Sequence, residues 1–123
     1  AYHTCLGLWR YFTVADEEVD PENHSYLVIG TLESYVQLRR YYGTEKVLPV
    51  MIELDDGERL QRALDRERSQ HEPKYEEMCR RFLADAEDFA ADRIESAGID
   101  RCFYNGDLTK CLTEIYAYLQ ENL

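Results

Sequence analysis

Residues 46–81 constrain this chain more than any other stretch: an apolar run, a turn, and two helical patterns that carry arginines. KVLPVMIEL (46–54) is short and almost continuously apolar, which suits a strand covered on both faces. Asp55-Asp56-Gly57 supplies turn and N-cap chemistry, and a helical pattern starts at once. Along it Arg59, Arg62 and Arg66 recur at i, i+3 and i+7, beside an apolar stripe of Leu60, Ala63 and Leu64. SQHEP (69–73) breaks the helix. A second helix follows, with Tyr75, Met78, Cys79, Phe82, Leu83, Ala86 and Phe89 at helical spacing and Arg80-Arg81 among them. Arginines gathered on two helices beyond a buried strand point to a site for anionic groups. The plain alternative is a solvated face paired with Asp and Glu.

The surrounding chain makes that cluster stand out, because the formal net charge is −11. A basic face is what drives general nucleic-acid or anionic-membrane binding, so neither is expected, and any phosphate binding must be local. With 123 residues, 45% hydrophobic and 32% charged, the sequence predicts one globular domain with a core of modest size. The four cysteines (Cys5, Cys79, Cys102, Cys111) lack metal-ligand spacing and read as reduced thiols of a cytoplasmic protein. No signal peptide and no bilayer-spanning run is present. Neither Gly-x-x-x-x-Gly-Lys-Ser/Thr nor Gly-x-Gly-x-x-Gly occurs, and AYHTCLGLWRYF reads as if the chain were entered mid-domain.

In order along the chain, residues 1–14 are rich in aromatic and β-favouring types and predict one or two short strands, with Gly7 at a bend. ADEEVDPENH (15–24) is an acidic surface stretch, either a helical turn or a loop; its acids make a poor metal cage. SYLVIG (25–30) predicts a second buried strand, and TLESYVQLRRYYG a helix that starts at Gly30 or Thr31 and closes at Gly43. With 46–54 these form a strand–helix–strand unit of the length of a parallel crossover. Ligands favour the crevice at such a strand tip, so Thr31 and Glu33 are candidate ligand contacts, although Thr31 serves equally as an N-cap. Residues 90–100 predict a helix stopping near Gly98, RCFYN (101–105) a third strand, and the segment after Asp107 a last amphipathic helix. Its inner face would carry Leu108, Cys111, Leu112, Ile115, Leu119 and Leu123. Alternating strands and helices predict an α/β class with a three-layer parallel sheet and flanking helices.

Taken together, SYLVIGTLESYVQLRRYYG, VLPVMIEL, the arginine-bearing hairpin and FYNGDL resemble, in that order, the guanylate kinase family. Gln37 and Arg39 fall at the later Gln and basic position of its Asp-Val-Gln-Gly-x-x-Gln-x-[Arg/Lys] segment. Arg66-Glu67-Arg68-Ser69 resembles the lid's Arg-Gly-Arg-Gly, and Arg80-Arg81 the following Arg-Arg pair. Residues 104–108 (YNGDL) are similar to the C-terminal Val-x-Asn-Asp-Asp-Leu, and Tyr11-Phe12-Thr13 to the Tyr-Gly-Thr of the GMP site. The similarity runs from about Tyr2 to Leu119. It implies a P-loop nucleoside monophosphate kinase sheet lacking its first strand. Within one domain, residues 1–24 would join the monophosphate site, 25–54 the core, 55–89 the lid and 90–123 the C-terminal helix–strand–helix.

That resemblance implies the parent reaction ATP + GMP to ADP + GDP, with Mg2+ and ATP as cofactors and GMP as substrate. Arg66, Arg68, Arg80 and Arg81 would clamp phosphates, Tyr11, Thr13, Thr31 and Glu33 would face GMP, and Asn105 would lie beside adenine. Asn105 also suits a turn before Gly106. Ile29 and Thr31 stand where the family carries two aspartates, and Glu33-Ser34 where it carries Gln-Gly. The resemblance therefore does not carry guanine recognition or magnesium positioning onto those positions. The phosphate loop's segment precedes the point where this sequence begins, so the chain alone is expected to be inactive. Loss of its central strand would leave sheet edges open. Two further readings stand beside this one: a non-catalytic guanylate-kinase-like module that binds a protein, and a homo-oligomer formed through the open edges.

Overall fold

The computed structural model describes the backbone of residues 2–4 and 7–9, and residues 19–123 in full. β1 (Tyr2–Thr4) and β2 (Gly7–Trp9) pair antiparallel. Next come α1 (Leu32–Tyr42), a 3₁₀ turn at Thr44–Lys46, β3 (Met51–Glu53), α2 (Asp56–Arg68) and α3 (Tyr75–Asp88). The order ends with α4 (Ala91–Ser96), β4 (Cys102–Tyr104) and α5 (Leu108–Asn122).

Local chemistry accounts for the helix starts. Thr31, Asp55 and Asp107 each accept a hydrogen bond from the backbone N–H three residues on, at 3.2, 3.2 and 2.9 Å. Each thereby satisfies an N–H that a helix leaves unpaired. Gly98 ends α4 with φ 77°, a left-handed conformation that disfavours side chains, and its N–H donates to the Glu95 carbonyl at 2.9 Å. Arg39 donates to the Ala97 carbonyl at the same helix end. That arginine therefore ties α1 to α4.

β3 and β4 are parallel, with Met51, Ile52 and Glu53 opposite Cys102, Phe103 and Tyr104. Met51 packs with the main core cluster, Leu32, Ala97 and Ile99, which Tyr35, Phe89 and Ile94 extend. Phe103, only 1% exposed, has its ring 5.3 Å from that of Tyr118 on α5. The two strands thus carry α1 and α4 on one face and α5 on the other.

The three-layer parallel sheet of a P-loop nucleoside monophosphate kinase is contradicted. The described residues are mostly helical and hold a single parallel pair. Residues 25–30, read from sequence as a buried strand, have no regular structure. Leu27, Val28 and Ile29 are 89, 62 and 97% exposed. An apolar run becomes a strand only when a neighbour takes up its backbone hydrogen bonds, and no described segment pairs with this one. The 46–54 run is likewise shortened to Met51–Glu53, since Pro49 has no N–H to give a ladder and Thr44–Lys46 coils before it. Two strands are also too narrow to cover the whole predicted face of α5. Cys111 is buried and Ile115 and Leu119 half-buried, but Leu108, Leu112 and Leu123 remain exposed.

Candidate anion site at the strand tips

β3 leads into α2 with only Leu54 and Asp55 between them, so the first turns of α2 stand over the carboxyl ends of both parallel strands. The Asn105 N–H donates to the Glu53 carbonyl at 2.9 Å, which carries the β3–β4 ladder one step beyond the strands. Ile52, Glu53, Leu54 and Asn105 then form one wall of a cleft of about 220 Å3, and Arg59, Arg62 and Arg66 the other. The i, i+3, i+7 spacing is what brings the three guanidinium groups to one side of α2.

The three arginines differ in what they hold. Arg62 donates to the Asn105 and Gly106 carbonyls at 3.1 and 3.4 Å, and to Glu58 at 3.0 Å. It works as a brace between α2 and the β4–α5 turn. Arg59 pairs with Asp56 at 3.3 Å and lies over the Phe82 ring at 4.2 Å, which fixes its plane. Arg66 is exposed, and its side chain makes no ion pair or hydrogen bond among the described residues. Across the cleft, the buried Oδ1 of Asn105 has no hydrogen-bond partner among them either. A buried acceptor without a donor is costly, and the cleft offers it a place to be satisfied. Gly106 keeps this turn close, since a Cβ there would stand 2.5 Å from the Tyr104 ring.

The sequence candidates separate on this frame. Arg66 and Asn105 share the strand-tip cleft. Arg81 and Arg66 share a neighbouring cleft between α2 and α3. Arg68 is exposed at the end of α2 and lines neither. Arg80 is held by Glu77 at 2.7 Å, with its side chain 19% exposed. Thr31 caps α1, and Glu33 is exposed on that helix's first turn, away from both clefts. Tyr11 and Thr13 lie outside the described residues. Among the described residues no group of three or more His, Cys, Asp and Glu is placed to hold a metal ion. No described helix is long and apolar enough to cross a membrane.

Comparison with family models, with curated proteins and with solved structures found no match. The functional reading rests on the site itself.

Sequence reasoning missed one residue that shapes this region. Glu67 is 5% exposed at the end of α2. Its Oε1 accepts from the Lys74 N–H at 2.7 Å and its Oε2 lies 3.8 Å from Arg81 Nη2. The signal was available: Leu60, Ala63, Leu64 and Glu67 occupy i, i+3, i+4 and i+7, so an acid sits on the apolar stripe. The opposite fate meets Cys102, whose thiol pKa is raised by burial and by the neighbouring Glu53 carboxylate. Both effects favour the protonated thiol over the thiolate.

Proposed function

We propose that the strand-tip cleft takes the phosphates and base edge of a purine nucleotide, as ATP would be held in a guanylate-kinase-like transfer to GMP. The observation that carries this reading is the pairing of an unpartnered guanidinium, Arg66, with an unsatisfied buried acceptor, Asn105 Oδ1, across one small cleft. Arg66, with Arg59 beside it, meets phosphate charge, and a ring amino group donates to Asn105. Arg62 holds the two walls together. Arg81 would meet phosphate from the adjoining cleft, while Arg80 and Arg68 serve helix surface and hairpin end. Magnesium, if used, enters with the nucleotide rather than on a protein cage. The described residues include no phosphate-cradling glycine loop, so the chain by itself binds without turnover. Calorimetric titration of ATP into the chain tests this, with Arg66→Ala as the control. Saturable binding that weakens about tenfold in the variant supports it, in line with the loss of one charged hydrogen bond. Turnover of GMP by the isolated chain counts against the non-catalytic part.

A second reading, a module that binds a protein, is favoured by one separate observation. Leu27, Val28 and Ile29 present an apolar run to solvent with no strand beside it among the described residues. Loss of nucleotide binding together with saturable protein binding at that run would select it.

A further inference from the structure

Arg59 and Arg66 also line a second cleft, of about 410 Å3, between α2 and α3. Arg81 adds a third guanidinium, and Met78 and Phe82 supply an apolar floor. Against these cations stand two carboxylates, Asp85 and the buried Glu67. Glu67 grips the hairpin through the Lys74 N–H, but at 3.8 Å its approach to Arg81 is an ion pair without a hydrogen bond. The Arg81 side chain is 54% exposed and has no other partner among the described residues.

We propose that this second cleft binds a phosphorylated aromatic molecule, with Glu67 as an internal counter-ion that holds Arg81 in place until the ligand's phosphate engages it. The phosphate sits among Arg59, Arg66 and Arg81, and the ring lies on Phe82 and Met78. The chemistry of the floor selects an aryl phosphate over a bare one. Glu67 sets the affinity, because its fixed negative charge competes with the ligand for the same guanidinium. Glutamine at this position keeps an oxygen for the Lys74 N–H and removes only the charge. This inference goes beyond the strand-tip reading; Arg66 is common to both clefts, and the readout that separates them is at Arg81 and Phe82, which line only the second.

The probe is phenyl phosphate, titrated into the whole chain at constant ionic strength and followed by NMR of arginine Nε–H and aromatic signals. Saturable shifts at Arg66, Arg81 and Phe82 are expected, with phenyl phosphate bound more tightly than inorganic phosphate. Glu67→Gln should tighten phenyl phosphate by about tenfold, as expected when a like charge leaves a partly buried site. Wild-type spectra without shifts at Arg81 and Phe82, or equal affinity for the two phosphates, would overturn the proposal, and need no variant. So would a folded Glu67→Gln chain that binds no more tightly. Failure of the strand-tip reading shows separately, as an Asn105 side-chain signal that ATP does not move.

Discussion

The β3–α2–α3 unit and the segment at residues 25–30 are both apolar where a strand was expected, yet only one of them holds a strand. Met51–Glu53 has a neighbour in Cys102–Tyr104 and packs Met51 on the core, although Ile52 is 50% exposed and the strand is not covered on both faces as its sequence predicts. Residues 25–30 have a sequence at least as strand-like, and Leu27, Val28 and Ile29 are 89, 62 and 97% exposed. At its near end the Tyr26 hydroxyl accepts from the Asp20 N–H at 3.0 Å, and Lys46 pairs with Glu22 just before the segment. The lesson is that apolar patterning sets what a strand would bury, whereas pairing decides whether it forms.

Substitutions on the two sides should break this comparison if it is wrong. The largest effect belongs to Phe103→Ala, which empties the centre of the β4–α5 contact and should cost about 3–5 kcal/mol, read by denaturant unfolding. Arg62→Ala comes next. It removes charged hydrogen bonds to two backbone carbonyls and should cost about 1–2 kcal/mol while loosening the strand-tip cleft. Asp107→Ala deletes the α5 cap and should cost about 1 kcal/mol, visible as a lower melting temperature. Ile29→Ser, in the exposed run, should change stability by less than about 0.5 kcal/mol. A loss of several kcal/mol there would mean that the run is buried in solution and that the contrast fails.

Where local chemistry decides, the sequence was legible. Asp55-Asp56-Gly57, SQHEP and Asp107 marked the helix limits, and the arginine spacing placed Arg59, Arg62 and Arg66 on one side of α2. Long-range pairing was not legible. Nothing within SYLVIG distinguishes a strand that finds a neighbour from one that does not, and a three-layer sheet was expected on that account. Partnering was equally hidden: Arg62 and Arg66 lie four residues apart on one helix, yet one braces the β4–α5 turn and the other makes no side-chain ion pair or hydrogen bond among the described residues. Glu67 was readable as an acid on an apolar stripe, but what it grips depends on how the hairpin closes.

The measurement closest to the central claim is calorimetric titration of ATP into the wild-type chain, Arg66→Ala and Arg68→Ala. The strand-tip cleft predicts saturable binding that Arg66→Ala weakens about tenfold and Arg68→Ala leaves unchanged. No binding at millimolar ATP, or equal affinities in all three proteins, would contradict it.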